Sequence, residues 1–121
     1  MSHRILIVDD EPNIVISLEY LMRKEGYEVA VATDGEAALK QAVEFVPDLV
    51  LLDVMMPKKS GFEVCQALRA EPALAAVKII MLTAKGRETE VTKGLALGAD
   101  AYVTKPFSTK DLVLQIKSLL A

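Results

Sequence analysis

The chain has 121 residues, of which 52% are apolar and 26% are charged, a balance typical of a folded globular domain rather than a disordered segment. The net charge of −3 gives no basic excess that would favour direct binding to nucleic acid, and Cys65, the only cysteine, has no internal partner for a disulfide. With no apolar run of membrane-spanning length and no signal peptide, we expect one cytoplasmic domain over residues 1–121 that makes no contact with membranes.

Short apolar runs alternate with segments of helical periodicity along the chain. The runs predict strands at 4–9, 28–33, 48–53, 77–82 and 100–104. The periodic segments predict helices at 12–25, 35–46, 60–70, 86–97 and 108–120. Strands that are each followed by a helix indicate an α/β fold with a parallel sheet covered on both faces. The second and fifth runs are short or partly polar, which predicts that they form the two edges of the sheet.

Several residues are typical of helix ends. Pro12 suits the first turn of the first helix, while Gly26 and Gly98 suit the C-terminal ends of the first and fourth helices. Ser108, with Asp111 three residues later, resembles a capping box at the start of the last helix.

Charged side chains follow three of the predicted strands. Asp9 and Asp10 end the first strand, Asp53 ends the third and Lys105 ends the fifth. In an open parallel sheet, ligands bind at the carboxyl ends of the strands, so these groups are expected to converge. Two unit charges about 4 Å apart repel by about 4 kcal/mol at an effective dielectric constant of 20. A bound cation such as Mg²⁺, the Lys105 ammonium or raised pKa values must offset that repulsion.

The acidic triplet Asp9, Asp10 and Glu11 also has an ordinary explanation, because acids before a helix commonly cap its N-terminus and interact with its dipole. Asp53 is different. It emerges directly from an apolar strand, where a carboxylate is costly unless it is paired.

An aspartate beside a cation can attack phosphorus and form an aspartyl phosphate. Phosphoryl transfer depends mainly on positioning and charge stabilisation, so such a site also needs a cationic side chain and hydrogen-bond donors. Lys105 supplies the point charge, and Thr83 with Ala84, at the end of the fourth strand, supplies a hydroxyl and backbone donors.

Four segments together resemble the receiver domain of two-component response regulators, the chemotaxis-regulator-like family. They are Ile5–Glu11, Leu51–Pro57 with Gly61, Met81–Ala84, and Gly98–Phe107. The resemblance covers essentially the whole chain. It implies a flavodoxin-like, doubly wound (βα)5 fold whose five parallel strands have the order 2-1-3-4-5.

The resemblance also implies roles for the acidic residues. Asp53 would be the phosphoacceptor. Asp10 would bind Mg²⁺ directly, with Asp9 assisting directly or through water. Asp53 and the backbone carbonyl of Met55 would complete the protein ligands of the metal.

Further roles concern the fourth and fifth strands. The resemblance implies that Lys105 pairs with the phosphoryl group, that Thr83 bonds to it, and that Tyr102 is an aromatic switch that turns inward when Thr83 moves. It also implies a cis bond before Pro106. We expect Lys85 to affect the access of water to the phosphate.

The implied activity is transfer of a phosphoryl group from a sensor histidine kinase or phosphotransfer protein to Asp53, followed by slow hydrolysis. Such a domain catalyses its own modification but is not a conventional turnover enzyme. Phosphorylation would change the face formed by the fourth helix, fifth strand and fifth helix, and so control an unknown output partner. A phosphorylation-independent interaction module of the same fold is the alternative.

One face departs from the regulators that join a receiver to a winged-helix DNA-binding domain. Uncharged residues, Val91, Ala96, Ala101 and Gln115, stand where that subfamily usually has charges, and Asp100, Asp111 and Lys117 are the charged residues that remain. We therefore expect a monomer or a weak, phosphorylation-dependent dimer, and a single-domain regulator or a receiver joined to another kind of output.

Two other classes of protein fit less well. A flavin- or nucleotide-binding module needs backbone N–H groups after the first strand, where this chain has acids that repel phosphate. A haloacid-dehalogenase-like phosphatase needs a second aspartate two residues after the first, and that residue is Met55.

Overall fold

The computed structural model of the protein describes residues 3–56, 58–84 and 88–121. Within these ranges five strands alternate with five α-helices, as the periodicity predicts. The strands are Arg4–Val8 (β1), Glu28–Ala32 (β2), Leu49–Asp53 (β3), Lys78–Ala84 (β4) and Ala101–Lys105 (β5). The helices are Pro12–Lys24 (α1), Gly35–Phe45 (α2), Gly61–Ala70 (α3), Glu88–Ala96 (α4) and Thr109–Leu120 (α5).

The strands form one parallel sheet in the order β2-β1-β3-β4-β5. The predicted order and the predicted edge positions of β2 and β5 are both confirmed. In the register of the sheet, Val8 lies opposite Leu52 and Thr83 opposite Thr104. The carboxyl ends of β1, β3, β4 and β5 therefore meet at one edge of the sheet, where the predicted site residues lie.

Successive side chains along each strand point to opposite faces of the sheet, and this divides the core into two layers. Ile5 and Ile7 of β1 face the layer that α1 and α5 cover, whereas Leu6 and Val8 face the layer that α2 and α3 cover. All of β3 is buried, as the apolar run Leu49–Leu52 predicts for a central strand. Burial of each large aliphatic side chain contributes about 1.5–3 kcal/mol to the stability of the fold. The central strands therefore hold the residues at their ends in fixed positions. The predicted doubly wound, flavodoxin-like class is confirmed.

The helix ends follow the predicted residues with one difference. Gly26 and Gly98 both have positive φ, 90° and 112°, which glycine adopts without strain. At α5, Ser108 Oγ accepts a hydrogen bond from the Asp111 backbone N–H, which is one half of the expected capping box. The complete box opens α3, where Ser60 and Glu63 each bond to the backbone of the other.

Beyond shifts of one residue, one boundary and one short element differ from the predictions. β4 extends to Ala84, so Thr83 lies within the strand, and a short 3₁₀ helix that the sequence did not predict spans Pro72–Leu74. Three residues are too few for a hydrophobic period to reveal such an element. The predicted start of the fourth helix falls partly on residues 85–87, which lie outside the described residues. Among the described helices, none is long and apolar enough to cross a bilayer.

Candidate functional site

Three carboxylates meet at the carboxyl edge of the sheet. Asp9 follows β1, Asp10 begins the connection to α1, and Asp53 is the last residue of β3. One oxygen of each carboxylate lies within 4.8 Å of the others. Asp9 is fully buried, Asp53 is 6% exposed, and Asp10 is exposed. The site, called the acidic pocket below, therefore has two buried acids and one that faces solvent.

Lys105, the last residue of β5, extends its ammonium group into this pocket. Its Nζ lies 2.8 Å from Asp9 Oδ2, 3.1 Å from Glu11 Oε1 and 3.5 Å from Asp53 Oδ1. The Lys105–Pro106 peptide bond is cis. Of the residues that the sequence predicted for the site, the structure brings Asp9, Asp10, Asp53 and Lys105 into one cluster.

The charges of the cluster shift its pKa values. Burial, followed by the charge of Asp9, raises the pKa of Asp53 to about 6, against the opposing effect of Lys105. For Lys105, burial acts to lower the pKa, but the carboxylates of Asp9, Asp53 and Glu11 together outweigh it and the pKa lies above its ordinary value. Lys105 is therefore held as a cation that neutralises only part of the negative charge.

The arrangement of oxygens fits a divalent cation. Asp9 Oδ1 accepts a hydrogen bond from the Glu11 backbone N–H at 2.9 Å. Oδ2 of the same residue is fully buried, and the Lys105 ammonium, 2.8 Å away, is the partner that the structure gives it. One ammonium beside three carboxylates leaves net negative charge at the site, and hard oxygen ligands are those that Mg²⁺ prefers.

Glu11 has a position that sequence reasoning missed. It is the N-cap residue of α1 but makes no side-chain capping bond, and its carboxylate instead pairs with Lys105, 94 positions away. The Glu11 side chain, one of the acidic triplet, therefore does not cap α1. The only signal in the sequence was its place directly after Asp9 and Asp10, which gave no reason to choose Lys105 as its partner.

Thr83 and Met55 border the cluster on either side of Asp53. Thr83 is 2% exposed and lies one residue beyond Leu82, the partner of Asp53 across β3 and β4. The Met55 backbone N–H donates a hydrogen bond to Asp53, while the Met55 side chain is 65% exposed. The backbone after β3 therefore turns directly around the acidic pocket.

Comparison with protein families accounts for this arrangement. The model of the response regulator receiver domain matches residues 5–117. The chain belongs to the response regulator receiver domain family. Receiver domains act in two-component systems, so this domain takes part in phosphorylation-dependent signalling, and the suspected resemblance is confirmed.

Individual response regulators are also similar to this chain. The alkaline phosphatase synthesis transcriptional regulatory protein PhoP of Bacillus subtilis is 48% identical over 120 residues, which are 99% of this chain and 49% of PhoP. The receiver domain thus spans about half the length of that curated relative. A response regulator structure from Chloroflexus aurantiacus matches with a TM-score of 0.95 at 38% identity, covering 99% of this chain and 98% of that one. The chemotaxis response regulator CheY4 of Vibrio cholerae matches with a TM-score of 0.93 at 32% identity, covering 99% and 100%.

Tyr102 of the receiver domain lies away from the acidic cluster. Its side chain is 45% exposed on β5 and lines a groove of about 600 Å³ together with Leu95, Phe107 and Gln115. This groove runs over the face formed by α4, β5 and α5. Lys85 and Pro57, which the sequence placed near the site, lie outside the described residues.

Two of the charges expected on that face are engaged within the receiver domain. Asp100 Oδ2 accepts hydrogen bonds from Arg69 and from the Ile79 backbone N–H, both at 2.8 Å. Lys117 pairs with Glu25 of α1 at 3.2 Å. These charges therefore stabilise the domain itself, and sequence reasoning missed both of their partners.

Proposed function

We propose that this receiver domain is a phosphorylation-activated switch in which Asp53 accepts a phosphoryl group from a sensor histidine kinase or a phosphotransfer protein. A carboxylate oxygen of Asp53 attacks phosphorus, the phosphorus–nitrogen bond of the phosphohistidine breaks, and the imidazole leaves with the bonding electrons. Water later cleaves the acyl phosphate and returns the carboxylate and inorganic phosphate. The observation that carries this proposal is the buried position of Asp53 beside both a carboxylate pair and the Lys105 ammonium.

The cofactor in this proposal is Mg²⁺, held by Asp9, Asp10, Asp53 and the backbone carbonyl of Met55. When bound, the ion would neutralise the carboxylates and the phosphoryl oxygens. The burial of the Asp9 carboxylate beside two other acids, with Lys105 as its one cationic contact among the described residues, supports its role as a ligand or as an acceptor for a water of the metal. The fit of three carboxylate oxygens within 4.8 Å supports a single ion.

Two residues beside the three carboxylates would stabilise the phosphoryl group. Lys105 would exchange part of its contact with Asp53 and Glu11 for the phosphoryl oxygens, since its raised pKa keeps it charged. The hydroxyl of Thr83 would donate a hydrogen bond to the same group from the adjoining strand. Neither residue needs to transfer a proton, because an ionised carboxylate is the nucleophile.

The output would be a change in the face of α4, β5 and α5. When Thr83 moves toward the phosphoryl group, the space beside it would admit the ring of Tyr102, which is now half exposed. The groove that this ring lines would change shape and so alter the affinity of a partner. PhoP is named a transcriptional regulatory protein, which makes control of transcription through another domain or protein one candidate output. The proposed location is the cytoplasm, where the phosphate donor would be found.

The deciding experiment is the intact mass of the protein after incubation with Mg²⁺ and a small-molecule phosphodonor. The wild type should gain one phosphoryl group, and both Asp53→Asn and addition of EDTA should prevent the gain. If the folded wild type gains none from the small donor and none from a panel of histidine kinases, the phosphorylation-independent interaction module is the better description.

A further inference from the structure

The connection between β3 and α3, here called the 54–60 segment, is described at residues 54–56 and 58–60. Two of its residues, Lys58 and Lys59, contact the first turn of α2. A Cβ atom on Gly35, the first residue of α2, would overlap both the Cβ and the carbonyl oxygen of Lys59, and would lie 2.9 Å from the Lys59 carbonyl carbon. Because two of these three atoms are backbone, a side chain at position 35 could be accommodated only if the 54–60 segment moved outward. Gly35 thus permits an approach that any other residue would prevent.

The turn that carries Gly35 is itself well fixed. Asp34 is the N-cap of α2, and its Oδ1 accepts a hydrogen bond from the Ala37 backbone N–H at 2.8 Å. Its second oxygen, Oδ2, lies 3.7 Å from Lys58 Nζ. The turn therefore contacts two consecutive residues of the 54–60 segment, Lys58 through charge and Lys59 through its backbone.

The other part of the segment is held by the sheet. The Val54 N–H donates to the Leu82 carbonyl at 3.2 Å, and the Gly61 N–H donates to the Val54 carbonyl at 2.8 Å. Met55, whose N–H bonds to Asp53, lies between this anchor and the contact of Lys59 with α2. The position of the Met55 carbonyl consequently depends on both supports.

We propose that Gly35 is a positioning residue for the metal site, because the first turn of α2 holds the 54–60 segment where the Met55 carbonyl can bind the same cation as Asp53. This inference rests on the proposed function, which supplies the cation. Gly35 touches neither the metal nor a reacting atom and acts only through Lys59. Mg²⁺ requires ligands close to 2.1 Å in near-octahedral geometry, so an outward shift of the segment would weaken binding.

The test compares Gly35→Ala with Gly26→Ala by calorimetric titration of the folded proteins with MgCl₂. Gly35→Ala should raise the Kd for Mg²⁺ by about tenfold, the usual scale for loss of a residue that orients a ligand. Alanine is the better helix former, so the helix propensity of residue 35 does not explain a loss. Gly26 has φ +90° and no atom within 4 Å of its Cβ position, so alanine there strains the backbone away from the site and should leave the Kd unchanged.

Cleavage by trypsin after Lys58 and Lys59 gives a readout that does not depend on catalysis. Gly35→Ala should be cut there faster than both the wild type and Gly26→Ala, with the fragments identified by mass. If Gly35→Ala does not fold, Asp34→Ala replaces it. Asp34→Ala removes the N-cap and the Lys58 pair without adding atoms, and it should weaken Mg²⁺ binding more than Asp34→Asn, which keeps an acceptor for Ala37.

The outcomes separate this inference from the proposed function. Wild-type protein that binds no Mg²⁺ would refute the proposed metal site itself. Wild-type protein that binds Mg²⁺ with the same Kd as Gly35→Ala, and with equal cleavage at Lys58 and Lys59, would overturn only the role of Gly35.

Discussion

Asp53, the proposed phosphoacceptor, is a buried carboxylate whose charge lowers the stability of the fold. It ends a strand that is buried on both faces, and the residue is 6% exposed beside the carboxylate of Asp9. Burial and that neighbouring charge raise its pKa from the ordinary value of 3.8 to about 6, even though Lys105 opposes them. In the metal-free protein, ionised Asp53 therefore destabilises the fold.

The pH dependence of stability follows from this shift. Between pH 4 and pH 6 the folded state binds more protons at Asp53 than the unfolded state does, so its contribution to stability falls as the pH rises and then stays constant above the folded pKa. In EDTA, we expect Asp53→Asn to be more stable than the wild type at pH 7.5 by about 1–3 kcal/mol, with the difference lost near pH 4. Urea unfolding at both pH values measures it.

The matched control for this prediction is Glu44→Gln, which neutralises an exposed carboxylate of α2 far from the acidic pocket. It should change the free energy of unfolding little at either pH. A difference between the wild type and Asp53→Asn that is the same at pH 4 and pH 7.5 would contradict the raised pKa as its cause.

The site residues also indicate which contacts a sequence can reveal. Asp9, Asp53 and Lys105 were predictable because each ends an apolar run, and the carboxyl ends of parallel strands converge by geometry alone. The pairing of Lys105 with Glu11 was not, because the two are 94 positions apart and several acids at that edge could have served equally well. A strand-end pattern locates the pocket but does not assign partners within it.

At the scale of elements, Arg69 joins parts of the chain that lie far apart in sequence. Its guanidinium donates hydrogen bonds to the carbonyls of Gly98, Ala75 and Val77 and pairs with Asp100. The end of α3 is thereby attached both to the connection before β4 and to the one between α4 and β5.

Removal of this side chain should destabilise the fold. Arg69→Met would remove the Arg69 donor from several carbonyls and leave the Asp100 carboxylate with the Ile79 N–H but without its cation. We expect a loss of about 2–3 kcal/mol in the free energy of unfolding. Arg69→Lys should restore little of it, because an ammonium cannot reproduce the planar fork of donors. Arg23→Met, which breaks only the exposed i,i+4 pair with Glu19, is the control and should cost under about 0.5 kcal/mol in urea unfolding. Equal losses in Arg69→Met and Arg23→Met would refute the stabilising role of the Arg69 contacts.

Element prediction succeeded where the signal was local and failed where it was not. Apolar runs, capping residues and glycines at helix ends lie within a few positions of what they determine, so the strands and helices were predictable to within about two residues of their ends. The contact of Arg69 with Asp100 spans 31 positions and follows no periodicity. The packing of Gly35 against Lys59 was equally unpredictable, since only the folded arrangement of α2 and the 54–60 segment brings the two residues together.

At the scale of the whole molecule, the face of α4, β5 and α5 decides how the domain could assemble. An isologous dimer held by ion pairs needs acidic and basic side chains that are free to cross the interface reciprocally. Here Asp100 is held by Arg69, Lys117 is paired with Glu25, and Val91, Ala96, Ala101 and Gln115 carry no charge. The groove beside Tyr102 is instead lined largely by apolar and uncharged groups, which suits a different partner better than a second copy.

We therefore expect the domain to remain a monomer, or to dimerise only weakly, after activation. Sedimentation velocity with Mg²⁺ and beryllofluoride, an analogue of the phosphoryl group, should give the monomer at micromolar concentration, as it should for the untreated protein. Lys117→Ala serves as the internal control and should sediment like the wild type, because that ammonium already has a partner within the chain. A tight dimer that appears on activation, weakens with added salt and is lost in Lys117→Ala would instead mean that Lys117 exchanges Glu25 for a carboxylate of the second copy.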